Sequence, residues 1–300
     1  VGEELVVVGY GTQQRGDVTT AISQVSAEDM TKRSSRNIVS SLQGMAAGIT
    51  VQDMGGEPGG ANTDIRIRGV TTLGNSNPLF IVDGVEQSSY NDIDPNDIES
   101  ITVLKDASST AIYGSRAANG VILIETKRGS SGDIQVSYSG RIDFQNLATV
   151  PEHMGTEEYL RLQNLAYENR GSSPLYSEED IENYINGEDR LNYPSPNTWF
   201  DTVIRDNAPM LRNSLSISGG GERISTYASF SHFDQQGIYP NRNVQKYILN
   251  LNNDIYITDN LTLKADLRLR RNDRLSTNDI GQGLYHNMIH GSQFTVPKFP

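Results

Sequence analysis

The sequence predicts a mixed α/β domain followed by long antiparallel β-strands of a length that suits a membrane barrel. Three observations carry this expectation. Texture changes near residue 132: short apolar runs and Gly-rich connections precede it, and longer alternating strands follow. The five strands of the second part run about 9–13 residues, whereas a globular strand has ~5–6 and a bilayer-crossing strand ~9–11. Their connections alternate long and short, as loops and turns do in outer-membrane barrels. A soluble β-sandwich or meander with one large insertion fits the same strands, and both readings stay open at this point.

Each strand rests on a period-2 pattern. Ile134, Val136, Tyr138, Ile142 and Phe144 share one face, broken only by Gly140. Residues 211–219 and 224–234 read as two more strands. The second carries a parity break between Phe230 and Phe233 that predicts a bulge. Tyr247, Leu249, Leu251, Ile255 and Ile257 repeat the pattern around Asn253. Leu261, Leu263, Ala265, Leu267 and Leu269 share a face opposite Thr262, Lys264, Asp266, Arg268 and Arg270, as a strand between lipid and a wet lumen would. The long connection 145–210 predicts two helices. Thr156 caps the first, with Glu157 and Glu158 in its first turn and Gly171 ending it. Ser177 and Asp180 form a capping box for the second, which Gly187 ends. Residues 150–206 hold 12 acids and 4 Arg. Five strands cannot close a barrel whose smallest form has about 8, so either the sequence is the first part of a longer chain or the barrel reading is wrong.

Composition excludes several classes. The 300 residues carry 25 Lys+Arg against 37 Asp+Glu, a net charge of −12, and mean hydropathy is −0.48. That balance argues against a nucleic-acid partner, which needs a basic face. No run approaches the ~18 apolar residues of a helical span. No cysteine is present, which excludes disulfides, thiolate zinc sites and cysteine nucleophiles within these residues. No catalytic constellation stands out, so no enzyme, cofactor or metal is expected. Gly9-x-Gly11 lacks the rest of a dinucleotide fingerprint. His286 and His290 have i,i+4 spacing without a partner glutamate, and His153 and His232 have no recognisable partners. Asp92, Asp94, Asn96 and Asp97 start like a calcium loop, but the sixth position is not Gly.

Four motifs remain. Residues 1–11, VGEELVVVGYG, are an ordinary edge strand or a strand offered to a partner by β-augmentation. In IRIRG, Arg66 and Arg68 share one face, either exposed or meeting carboxylates across an interface. PLFIVDGV is a strand entering an Asp-Gly turn. Residues 98–129 read strand, short helix over 107–113, turn at Asn119–Gly120, strand.

The run VLKDASSTAIYGSRAANGVILIETKRG closely resembles the signature of the SusC/RagA family of TonB-dependent outer-membrane transporters of Bacteroidota. EELVVVGYGTQ, SLQGMAAGITV, IRIRG, PLFIVDGV, NTWFDTVIRDNAP and FDQQGI agree in order and spacing, so the resemblance covers nearly the whole chain. It implies an α/β plug domain, about residues 10–132, followed by the first strands and extracellular loops, residues 133–300, of an antiparallel transmembrane β-barrel of about 22 strands. It implies a TonB box at Glu3, Glu4, Leu5, Val6, Val7, Val8 and Gly9, within residues 1–9. The family's usual spelling there begins Asp-Glu-Val, and here it is Glu-Glu-Leu. The implied partners are TonB with its ExbB/ExbD energising complex, a SusD-like surface lipoprotein and outer-membrane lipid. The implied activity is import of an oligosaccharide or oligopeptide, with TonB remodelling the plug. The plug and box would face the periplasm and the long loops the outside. Arg66, Arg68 and Arg116 are the expected plug–barrel contacts. Gly55, Gly56, Gly59, Gly60, Leu73, Gly74, Asn75 and Asn77 are the expected ligand-facing plug loops. A siderophore or haem receptor is the alternative within the class, and a soluble or surface β-rich binding module the alternative outside it.

Overall fold

The computed structural model describes residues 5–8, 11–14, 22–26, 38–53, 58–59, 63–67, 69, 76–87, 93–148, 154–189, 192–193, 204–239 and 241–275. The chain divides into two compact units. One comprises residues 1–143, 210–235 and 244–274, and the other residues 144–209, 236–243 and 275–300.

The first unit opens with a short hairpin, β1 (Leu5–Val8) and β2 (Gly11–Gln14). A central sheet follows, built from β3 (Ile22–Ser26), β6 (Leu79–Val82), β7 (Val85–Gln87), β8 (Ile98–Leu104) and β9 (Val121–Thr126) in the order β3-β8-β9-β6-β7. β6 and β9 run parallel and the other neighbours antiparallel. A separate hairpin joins β4 (Ile49–Asp53) to β5 (Thr63–Ile67), beside helix α1 (Ile38–Ser41).

The apolar run of β9 has a direct cause. Ile122 and Ile124 pack on one side of the sheet with Ile101, Val103, Leu42, Ile65 and Ile67. Val121 and Leu123 pack on the other side with Ile81, Leu104, Ala117 and the half-buried Tyr113. A strand covered on both faces needs no polar alternation. Each isoleucine so covered contributes about 1.5–3 kcal/mol. Lys105 at the end of β8 donates to Ser23 Oγ at 2.5 Å and to the carbonyl of Ala47, tying β3 and the turn after α1 to the sheet.

The helix expected over 107–113 is a single α-turn, α2 (Ala107–Thr110), that continues as a 3-10 segment Ala111–Asn119. Ser109 and Thr110 hydroxyls donate back to the Asp106 carbonyl at 2.8 and 3.1 Å, a local bond that competes with helix propagation. Gly114, at φ 72°, breaks the 3-10 segment. Gly120, at φ 94°, ends it where a Cβ would lie 2.7 Å from Ile67 Cδ1.

The second sheet of this unit is a meander, β10 (Gly132–Gln145), β11 (Ala208–Gly220), β12 (Ile224–Gln236), β13 (Asn243–Thr258) and β14 (Leu261–Leu275), in chain order. The strands have 14, 13, 13, 16 and 15 residues. At ~3.3 Å per residue they reach about 43–53 Å, beyond the ~30 Å hydrocarbon core of a bilayer. Ile134, Val136, Ile142 and Phe144 of β10 and Leu261, Leu263, Leu267 and Leu269 of β14 are all exposed.

The bulge expected in β12 is absent. Its register with β11 is unbroken from Met210↔Gln235 to Gly220↔Ser225. Phe230 is exposed, while Phe233 is buried with Met210 and Val244. Apolar residues occupy both faces of this strand, so apolar parity alone misplaces it.

The second unit contains two helices, α3 (Thr156–Asn169) and α4 (Glu178–Asn186). Leu160 and Ile181 are buried. Thr156 is the first helical residue rather than the cap; Gly155 holds the N-cap position and no side chain bonds there. The capping box at α4 is present in both directions between Ser177 and Asp180. Asn164 bonds the Tyr176 backbone through both amide atoms at 2.8 Å, fixing the turn between the helices.

Candidate functional site

Two turns and one strand end of the α/β domain carry the polar groups that reach the meander. β6 runs into Asp83-Gly84, where both residues have positive φ, 48° and 83°, and Val82 pairs with Val85. This is a two-residue primed turn, which Asp-Gly favours. It fixes the Asp83 carboxylate against β9: Oδ1 accepts from Thr126 N at 2.9 Å and Oδ2 from Thr126 Oγ1 at 2.8 Å. Oδ2 also meets Arg268 Nη2 of β14 at 3.3 Å.

The second turn is the 3-10 segment Pro95–Asp97. Asp94 caps it, accepting from Asn96 N at 2.8 Å. The cap orients Asp97, which is 1% exposed. Its carboxyl accepts from Tyr227 Oη of β12 at 2.8 Å and from Asn250 Nδ2 of β13. Burial, then the charge of Asp94, pushes the Asp97 carboxyl above the usual carboxylate range. Hydrogen bonds from Ser229, Tyr227 and Asn250 act in the opposite direction.

The third contact is the end of β9 and the three residues after it. Asn252 Nδ2 donates to Thr126 Oγ1 at 2.9 Å and to the Lys127 carbonyl at 2.8 Å. Arg128 Nη1 meets Asp254 Oδ1 and Nη2 meets Asp266 Oδ2, each at 2.5 Å. Gly129 lies so close to β12 that a Cβ would come within 2.4 Å of Thr226 N. Arg268 Nε closes the network by donating to Asn250 Oδ1 at 2.9 Å.

The receiving residues are spaced by two along each strand: Tyr227 and Ser229, then Asn250, Asn252 and Asp254, then Asp266 and Arg268. Strand alternation therefore presents them on one face. The arrangement holds no nucleophile–base pair. These side-chain links are hydrogen bonds and ion pairs, which exchange for water when the surfaces separate.

The expected site residues fall as follows. Arg66 pairs with Asp64 of its own strand at 2.6 Å, and Arg116 with Glu86 of β7 at 2.7 Å. Arg128 and Arg268 each form an ion pair between the α/β domain and the meander. Arg68 lies outside the described residues, as do Gly55, Gly56, Gly60, Leu73, Gly74 and Asn75. Gly59 is described, and it approaches the meander: a Cβ there would meet Val244 Cγ2 at 3.1 Å. Asn77 is exposed. Leu5, Val6, Val7 and Val8 form β1, while Glu3, Glu4 and Gly9 lie outside the described residues. Asp94 and Asp97 serve as cap and contact, and Asp92 is not described. Among the described residues no His, Cys, Asp or Glu group suits a metal ion. His153, His286 and His290 lie outside them, and His232 stacks on Tyr247 at 4.8 Å.

Comparison with known proteins agrees with this geometry. Residues 14–121 match the TonB-dependent Receptor Plug Domain family. The chain is 38% identical over 266 residues to TonB-dependent receptor P26 of Formosa agariphila, covering 86% of this chain and 26% of that protein. It is 32% identical over 262 residues to TonB-dependent receptor SusC of Bacteroides thetaiotaomicron, covering 83% and 24%. Its fold matches the RagAB peptide importer in its open-open state with a TM-score of 0.78 at 30% identity, over 92% of this chain and 33% of that one. The chain thus spans about a quarter of the length of these curated relatives. An α/β plug domain hydrogen-bonded to partial barrel strands is thus similar in sequence and fold to the N-terminal portion of SusC/RagA-type TonB-dependent receptors.

Proposed function

We propose that the whole protein is an energised importer of the outer membrane that admits an oligopeptide or oligosaccharide. The observation that carries this reading is the polar interface itself. The plug is joined to wall strands β12, β13 and β14 through Asp83, Asp97, Thr126, Lys127 and Arg128, with links that can break and re-form. A closed seat made of such links suits a plug that must open and reseat in each cycle.

In this reading residues 1–9 engage TonB, residues 10–132 are the plug, and residues 133–300 begin the barrel. TonB, driven by ExbB/ExbD, pulls from the periplasm. The long loops face outward, toward a SusD-like lipoprotein. Substrate influences the cycle only by binding the closed and remodelled plug with different affinity. Likeness to a peptide importer and to SusC supports a large polymeric nutrient over an iron chelate.

The test is purification of the full-length protein from outer membranes in mild detergent, with mass spectrometry of what accompanies it. A SusD-like lipoprotein with bound peptide or glycan is the expected result and names the substrate class. A bound siderophore or haem without such a partner overturns the substrate reading. Recovery as a water-soluble monomer overturns the importer.

A further inference from the structure

The segment read as the TonB box is already paired within its own chain. β1 and β2 are antiparallel, with Leu5 opposite Gln14 and Val8 opposite Gly11. Among the described residues neither strand has another neighbour in its sheet. Only Gly9 and Tyr10 separate them. Val8 and Gly11 are the paired residues nearest that connection, and strands joined by two residues close on a hydrogen-bonded pair. Antiparallel pairs then alternate between bonded and non-bonded. Val6 and Gln13 are therefore the next bonded pair. By that alternation the N–H and C=O groups of Val6 and Val8 face β2, and those of Leu5 and Val7 face the open edge.

We propose that β2 selects the docking edge: it occupies one side of β1, and the TonB strand adds to the backbone of Leu5 and Val7 on the other. The proposal rests on reading β1 as the TonB-binding segment. It gives the polar strand Gly11–Gln14 a purpose. An isolated two-stranded hairpin is marginal in water, whereas a third strand brings a sheet to the threshold of independent stability. Docking therefore consolidates the hairpin instead of unravelling it, and β1 is presented in a defined register before the partner arrives.

Proline distinguishes the two edges, because it removes one N–H and is tolerated where that N–H faces outward. Full-length receptor in detergent carries Leu5→Pro, Val7→Pro, Val6→Pro or Val8→Pro, and affinity for the purified periplasmic domain of TonB is measured. Heat-modifiable migration reports that each barrel is folded. Leu5→Pro and Val7→Pro are expected to weaken binding about tenfold or more, and Val6→Pro and Val8→Pro clearly less. The reverse ranking, or equal loss at all four, overturns edge selection. Unchanged affinity in all four overturns the assignment of β1 to TonB altogether. Residue-resolved amide exchange gives a second readout without mutation. Val6 and Val8 should be protected in the free receptor, and Leu5 and Val7 only after TonB is added. Protection of Leu5 and Val7 in the free receptor counts against the proposal.

Discussion

Arg128 Nη1 and Asp254 Oδ1 lie 2.5 Å apart, and the other guanidinium nitrogen is 2.5 Å from Asp266, so one plug residue bridges two adjacent wall strands. A planar fork makes this possible; an ammonium group is a single point charge.

Arg128→Ala should therefore loosen the plug more than Arg128→Lys. The side chain is 22% exposed, so solvent screens part of the interaction. A loss of about 2 kcal/mol is reasonable for Ala, below the ~3–5 kcal/mol of a fully buried pair. The measurement is the urea concentration at which the plug becomes sensitive to trypsin in full-length protein. Equal midpoints for Ala and wild type would show that the bridge contributes nothing.

Asp97 makes seating depend on pH, and the sign follows from burial. Its carboxyl titrates above the usual range in the folded plug. The folded state thus holds that proton more tightly than the unfolded chain. The associated stability is fully present below the ordinary Asp value and is lost as pH rises through the raised one. Asp97→Asn removes this titration. Wild-type seating should weaken relative to Asp97→Asn as pH rises from the ordinary Asp value upward. Trypsin-sensitivity midpoints compared across pH give the difference, and parallel profiles would refute it.

Gly129 tests how closely plug and wall approach. A Cβ there would lie 2.4–2.6 Å from the backbone of Thr226, which cannot rotate away as a side chain could. Gly129→Ala should push the end of β9 off β12, at a cost of about 1–3 kcal/mol or more. Barrel folding in the full-length protein should persist, because the clash is with the plug. Planar-bilayer conductance would register the change as leak, and a silent, wild-type trace would contradict the close contact.

These residues also mark what was legible in the sequence. The strand that closes residues 98–129, β9, and the Ser177-x-x-Asp180 capping box were both legible, because each depends on neighbours in the chain. The wet face of β14 was visible as Asp266 and Arg268 in alternation. The partners were not. Arg128 meets acids 126 and 138 residues away, a distance over which no local pattern carries information. Asp97 sat in an Asp-rich turn that read as half a calcium loop. Arg66 drew attention as half of an arginine pair, while its actual partner Asp64 stood two residues away on the same strand face. That i,i+2 pairing was available from strand periodicity alone.

Asp83 combines a turn role with a wall contact, and two substitutions separate them. Its φ of 48° suits Asn nearly as well as Asp, whereas Ala is strained there. Asp83→Asn keeps the turn and an acceptor for Thr126 but removes the charge facing Arg268 at 3.3 Å. It should cost about 1 kcal/mol, since both side chains retain some exposure. Asp83→Ala should cost about 2–3 kcal/mol, because it also leaves Thr126 N and Oγ1 without their acceptor and strains the turn. In an Arg268→Gln background the cost of Asp83→Asn should fall toward zero, while that of Asp83→Ala should persist. This double-mutant cycle isolates the pair only if the turn is intact, which is why the Asn variant carries the test. Single-molecule pulling on the plug of the full-length protein supplies the readout. If Asp83→Asn costs the same with and without Arg268, the ion pair does not hold the plug, and Asp83 serves the hairpin alone.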